Sequence, residues 1–361
     1  MASPPQRLCR DLRSAAAAIS RSRDVIVEIL SWLPAKPLCR FRCVSREWRA
    51  LISSRAFAAT HRSRAEPLLV GMSTTVSGTT NLQLMDTDGA VVRSFPPREG
   101  NWTLWATLDD LACISSSSGG SSTLLVVDLS TGKALLPAED AAAGFLMYAS
   151  CGRAARTNSL KVFRLDAHLT CEVLGLGDGT RWRQVQSPPP MVSHWNKITS
   201  SSVVTLNGAL YFMSHDHYDV LSFDLDNETW TEIPGPSADI VGSKKSISLA
   251  ELNGTLCMAR RQYPLMADIW LLTNTDNSSW IKAYSLPVDL FADFVVPLRL
   301  LRLGGEVLFY SSYDERSKLV LQVYDPRSGK CTNVKTSTNL MGRIGLCSST
   351  WILDFSVACP N

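Results

Sequence analysis

The sequence has no dominant charge, no paired cysteines and no long apolar run, and each lack removes a class of function. Against 36 Lys and Arg stand 33 Asp and Glu, for a net charge of +3. The two signs are interspersed, which speaks against nucleic acid or a membrane surface as the main partner. The exception is the stretch from Arg7 to Arg64, where arginine is frequent and acids are few. Within it Arg40, Arg42, Arg46 and Arg49 read as a solvated helix face. Ten cysteines are scattered without a CxxC pair. They spell neither a zinc finger nor a disulfide framework, and read as reduced, buried small hydrophobes of a cytoplasmic or nuclear chain. The most apolar later stretch, Leu286 to Leu303, is broken by Asp289, Asp293, two prolines and two arginines, too often for a bilayer span. The N-terminus lacks the continuous apolar segment of a secretory signal, so residues 1–22, rich in Arg, Ala and Ser, read as a leader.

Catalytic constellations are missing as well. There is no GxSxG elbow, no Walker loop and no HExxH. GLGDG, Gly175 to Gly179, sits between two β-rich runs instead of opening a helix, so it reads as a hairpin and not a phosphate loop. His215, Asp216 and His217 are metal-ligand types, but no third histidine is near, and the segment reads as a polar tip between two strands. The run Ser115 to Ser122, with Gly119 and Gly120, reads as a loop insertion. The expectation is a chain with no catalytic residue, no metal and no cofactor.

What is present is a short helical front and a long β-rich body. From Asp24, a plausible N-cap, Val25, Ile29, Trp32 and Leu33 fall at helical spacing, with Ile26 and Leu30 as a second row. Pro34 ends that helix. A second, starting at Pro37, carries Leu38, Phe41 and Val44; a third, capped by Ser45, carries Trp48, Leu51 and Ile52. Three short helices over residues 23–61 bury little of their own apolar surface, which implies a partner or an attached domain.

Residues 62–361 carry short β-rich runs separated by Gly, Pro, Asn, Asp and Ser. VVTLNGALYFMS, SLAELNGTLCMA and LRLLRLGGEVLFYS place Gly208, Gly254 and Gly305 at intervals near the roughly 50-residue period of a kelch-type blade. Each unit continues into a third strand and a fourth, which Trp182, Trp230 or Trp280 opens in three of them; these tryptophans read as core packing. The span allows six blades. Blade one is a strand short, and Trp351 to Val357 is the expected supplier, closing the ring and hiding its edges.

The run EILSWLPAKPLCRFRCVSREWRALI resembles the F-box of plant F-box proteins, and the body is similar to the kelch-like, F-box-associated β domain of the same family. The fold implied is α+β: a three-helix F-box followed by an all-β six-bladed propeller. One departure is visible: Arg21 and Ser22 stand where the family opens its first helix with Leu-Pro. The resemblance implies that the front docks on a Skp-type adaptor, and through it on a cullin, by Val25, Ile29, Leu30, Leu33, Pro34, Leu38, Phe41, Val44 and Trp48. On spacing alone such a stripe would face a core. It also implies that the propeller selects a target protein for ubiquitination. The loop residues His215, His217, Tyr218 and Tyr263 fall in corresponding inter-strand connections of blades four and five and are the expected target contacts. The rival reading is a propeller enzyme or small-ligand sensor, for which an adaptor-docking front has no use.

Overall fold

The hairpins of the second half are set by their turns. Asn207 and Gly208 hold φ of 49° and 82°, and Asn253 and Gly254 hold 51° and 80°. Two successive left-handed residues make the tight turn whose twist matches the flanking strands. Val203–Leu206 thereby pairs antiparallel with Ala209–Met213, and Ile247–Leu252 with Thr255–Gln262.

The computed structural model describes residues 23–347 apart from 34, 65–66, 76, 97, 119, 137–141, 144, 178–180, 190–202, 214–218, 237–246, 263, 276–277, 302–304, 314–317 and 338. It divides into two compact units, the first comprising Met1–Pro67 with Ser348–Asn361 and the second spanning Leu68–Cys347.

The second unit consists of six four-stranded sheets, each antiparallel. It is a six-bladed β-propeller. Numbered from the N-terminus, blades two to six begin with the inner strands Trp102–Leu108, Leu146–Arg153, Val203–Leu206, Ile247–Leu252 and Phe294–Leu300. These strands succeed one another around the axis in contact. The second strands are buried on both faces, as in Val307–Tyr313, whereas outer strands such as Lys330–Ser337 are largely open to solvent. That gradient explains why the second strands read as unbroken apolar runs and the fourth as polar ones.

Blade one is completed from the far end of the chain. Its sheet order places Leu340–Cys347 inside Leu68–Thr74, with Leu68 opposite Cys347 and Ser73 opposite Leu340. The expected supplier, Trp351 to Val357, is therefore corrected to Leu340–Cys347, and Trp351 to Val357 lies outside the described residues. The segment LMGRIGLC hides its strand character because two glycines and an arginine break the apolar alternation. Its side chains are nonetheless used: Leu340 and Ile344 are buried, and Gly345 sits where a Cβ would come within 2.5 Å of the Thr107 side chain in blade two.

The serine run is corrected too. Leu111–Ser118 and Ser121–Asp128 form a hairpin with Ser117 opposite Ser122 and Ser118 opposite Ser121, turning at Gly120 with φ 83°. Serine side chains are too small to show the period-two pattern by which a strand is recognised.

Trp230 and Trp280 do more than fill space. Trp230 packs against Phe163, Phe212 and Phe223, 5.0–6.1 Å between ring centroids. Its indole N–H donates to the carbonyl of Gln186 at 2.9 Å, and that of Trp280 to the carbonyl of Pro234 at 2.8 Å. These two tryptophans are thus latched to the tail of the preceding blade.

The described residues of the first unit contain four helical stretches where three were expected over residues 23–61: α1 over residues 23–31, α2 Ala35–Phe41, α3 Arg46–Ile52 and α4 Arg55–Arg64. Asp24 lies inside α1 and does not cap it. Ser45 caps α3, its hydroxyl accepting the Trp48 N–H at 3.1 Å. The additional helix was hidden because RAFAATHRSR has little apolar periodicity.

Ring closure by Leu340–Cys347 yields a test. A chain ending at Cys347 keeps a cooperative thermal transition monitored by β-sheet circular dichroism. One ending at Asn339 loses it, since the burial of Leu340 and Ile344 alone is worth about 1.5–3 kcal/mol for each side chain, and the inner strand's hydrogen bonds go with it.

Candidate adaptor and target surfaces

Helix α1 is apolar on two faces, and the first unit uses only one of them for its core. Leu30, Leu38, Leu51, Ile52 and Phe57 form that core, with Ile26, Val27, Leu33, Phe41 and Trp48 packed against it. Val25, Ile29 and Trp32, at i, i+4 and i+7, face away and are 56%, 59% and 57% exposed, and Val44 is 60% exposed. The exposed row is held in place. Trp32 donates its indole N–H to Glu28 at 3.2 Å, the Arg64 guanidinium stands 5.2 Å over its ring, and Arg64 pairs with Glu28 at 2.7 Å. The hydrogen bond from Arg64 holds the Glu28 carboxyl below its ordinary pKa.

Helix α4 is fastened to the end of α1 by His61. Its Nε2 lies 2.9 Å from the Leu33 carbonyl, and its ring stacks on Phe57 with centroids 6.0 Å apart. A carbonyl only accepts, so Nε2 carries the proton and Nδ1 is free of one.

In the propeller, a cavity of about 650 Å³ lies on the axis, lined by the later halves of the inner strands and the turns after them. Arg343 on the closing strand crosses it. One nitrogen, Nη1, donates to the carbonyl of Trp105 in blade two at 3.0 Å and to that of Val203 in blade four. Thr107 accepts the Leu346 N–H at 3.1 Å. At the mouth, Arg153 pairs with Asp109 at 3.3 Å.

The opposite end of the inner strands, with the connections between second and third strands, carries an apolar patch at blades five and six. Leu265, Met266, Leu290 and Phe291 are between 38% and 61% exposed. The patch is braced from below: the Arg261 guanidinium donates to the carbonyls of Asp289, Leu290 and Ala292, and Val288 N–H donates to the Leu265 carbonyl at 2.8 Å.

Comparison with known proteins agrees with this two-part organisation. The F-box associated beta propeller domain family matches residues 156–344, more than half of the chain, and the F-box domain matches residues 22–59. The chain belongs to the F-box associated β-propeller family. An Arabidopsis thaliana F-box protein is 27% identical over 295 residues, covering 78% of this chain and 74% of its own. A second F-box protein of that plant is 24% identical over 370 residues and 86% of each chain, and an F-box/LRR-repeat/kelch-repeat protein is 24% identical over 289 residues, 76% of this chain and 78% of its own. Among solved structures, TolB from Acinetobacter baumannii is 12% identical with a TM-score of 0.48, over 81% of this chain and 73% of that one; a likeness of that size carries no argument.

Within this F-box protein the expected site residues separate. Of the nine expected adaptor contacts, Val25, Ile29 and Val44 are exposed, and Leu33, Phe41 and Trp48 are half-buried. Leu30 and Leu38 are corrected: at 2% and 0% exposure they are core residues that no adaptor reaches. Pro34 lies outside the described residues. Trp32, absent from the expected contacts, is as exposed as Val25 and Ile29; its place at i+7 from Val25 was the available signal. His215, His217, Tyr218 and Tyr263 all lie outside the described residues. The strands flanking them are the second and third of blades four and five, so the two segments are topologically equivalent connections. The hairpin turn expected at Asp178 and Gly179 also lies outside them.

Several cysteines are buried in the blades and kept as thiols. Burial pushes the thiols of Cys151, Cys171 and Cys347 up to about 12, where a thiolate does not form. No group of three His, Cys, Asp or Glu residues among the described ones is placed to hold a metal, and no described helix is long and apolar enough to cross a membrane.

His61 gives the F-box unit a pH dependence. Burial outweighs the Leu33 carbonyl and holds its pKa below the ordinary 6.5. The unfolded chain therefore binds the second proton more readily than the folded one, so the contribution to stability is whole above 6.5 and is lost as pH falls through that value and below it. Hydrogen-exchange protection of α4, corrected for intrinsic rates, should fall between about pH 7 and 5 in the native chain. In His61→Gln, which keeps a donor for the carbonyl, it should be flat; an equal slope in both would remove His61 as the cause.

Proposed function

We propose that this chain is the substrate-recognition subunit of an SCF-type ubiquitin ligase, with the F-box docking on a Skp-type adaptor and through it on a cullin, and the propeller binding a target protein. The observation that carries the reading is the exposed row Val25, Ile29 and Trp32 on the F-box helix, left uncovered by the core of its own unit. The short helices from residue 23 to Ile52 form the docking part, and α4 buttresses it through His61 and Arg64. Four large apolar side chains in water, one of them a tryptophan fixed by two partners, have the composition of an interface anchor. The chain itself performs no catalysis on this reading. It holds the target beside the ubiquitin-transferring partners and raises its effective concentration there. On this reading it works in the cytoplasm or nucleus, where its buried, unpaired cysteines stay reduced.

The target face is the one bearing the connections between second and third strands. The braced patch Leu265, Met266, Leu290 and Phe291 supports it, and the connection that includes Tyr263 adjoins this patch in sequence. His215, His217 and Tyr218 sit in the equivalent connection of blade four.

Two measurements test the division. Ile29→Asp with Trp32→Ala should lower affinity for a purified Skp adaptor by tenfold or more, about 1.4 kcal/mol or above, without changing the circular dichroism. Adaptor binding at native strength would remove the exposed row from the interface. Leu290→Ser with Phe291→Ser should leave the adaptor complex intact and change the set of partners captured under proteasome inhibition; an unchanged set would move the target surface elsewhere on the propeller.

A further inference from the structure

The axial cavity contains a positive charge without a partner. Arg343 enters it from the closing strand, and both hydrogens of Nη1 are used on the carbonyls of Trp105 and Val203. Guanidinium has five N–H donors. The remaining three, on Nε and Nη2, have no acceptor among the described residues. They form the planar, side-on fork to which a carboxylate binds by two parallel hydrogen bonds. Among the described residues no carboxylate occupies that fork. Of the acids lining the cavity, Asp109 is engaged by Arg153 at 3.3 Å, and Glu251 accepts the backbone N–H of Gly254 in its own hairpin turn. Burial lowers the pKa of Arg343, the sign that its charge is poorly solvated where it stands.

We propose that the axial cavity is a binding site for a small monocarboxylic acid with an apolar body, its carboxylate held by the Nε and Nη2 edge of Arg343. Three observations fix the ligand class. The volume, about 650 Å³, lies within the usual range of small-molecule sites. The lining offers apolar side chains, among them Ala106, Val204, Ala250, Val296, Leu298 and Ile344, beside polar ones such as Thr107 and Thr205. Arg343 offers one cationic fork, Arg153, the other arginine of the lining, is paired with Asp109, and Glu251 adds a carboxylate of its own, so the second negative charge of a phosphate dianion would meet repulsion and no further free cation. Because Arg343 also ties the inner strand of blade one to those of blades two and four, an acid seated on it would fix the ring at its closure.

The probe is 4-phenylbutyrate, with 4-phenylbutyramide as its uncharged counterpart, added to the full chain. Calorimetric titration and thermal melting should show saturable binding of the acid, with the amide at least about tenfold weaker, as expected for loss of a charge-assisted bidentate contact. Arg343→Gln should abolish the preference for the acid. If that variant does not fold, the comparison of acid and amide on the native chain decides alone. Equal binding of the two, no binding of the acid up to its solubility limit, or stronger stabilisation by inorganic phosphate than by the acid would each overturn the proposal. Adaptor binding, which depends on Ile29 and Trp32, is measured separately and does not bear on the result.

Discussion

The pairing of Leu340–Cys347 with Leu68–Thr74 is the contact on which the propeller depends. Five blades are continuous in sequence and could stack as an open array, but such an array would end in two unpaired faces and an exposed strand edge. By supplying the innermost strand of the first blade from the end of the chain, the fold converts a linear stack into a ring. The closing strand is built for contact on both sides: Gly345 lets it approach Thr107 of blade two, and Arg343 spans the axis to Val203 of blade four. A covalent ring is absent, so the ring persists only as long as this noncovalent seam.

The sequence was most legible where turn chemistry and apolar periodicity agree. Asn207-Gly208 and Asn253-Gly254 announce hairpins because few other residue pairs accept two successive positive φ angles. From their spacing the blade period and the number of blades followed. It was least legible where side chains are small or mixed. Ser115 to Ser122 forms paired strands that no alternation betrays, and the closing strand is masked by Gly342, Arg343 and Gly345. The candidate docking site was half legible for a different reason. Both rows of α1 are apolar, and periodicity alone does not say which faces inward; only the position of α2 and α3 decides that Leu30 is core and Ile29 surface. The axial cavity could not be read at all, since its lining comes from six strands widely separated along the chain.

The two units rely on different physics. The F-box unit is small, so it cannot bury all its apolar residues, and what remains outside becomes a sticky, rigid row. Its polar fastenings, Arg64 to Glu28 and His61 to the Leu33 carbonyl, orient that row more than they stabilise it, since surface ion pairs contribute little. The propeller is large enough to be stable on packed blades alone, which leaves its connections free to vary. Rigidity in the one and variability in the other suit the proposed division, in which one surface serves a common adaptor and the other a distinctive target.

The position of the closing strand also sets an order in time. Leu68–Thr74 leaves the ribosome long before its inner partner, Leu340–Cys347. At about 5–20 residues per second, that edge waits roughly 15 to 50 s without its neighbour. During that interval the F-box unit is complete while the propeller is an open fan of blades with an unsatisfied row of backbone hydrogen-bonding groups. A premature stop ahead of Leu340 would therefore leave the helical front attached to a body that cannot close, and on the proposed function such a chain would keep its docking surface and lose its target surface.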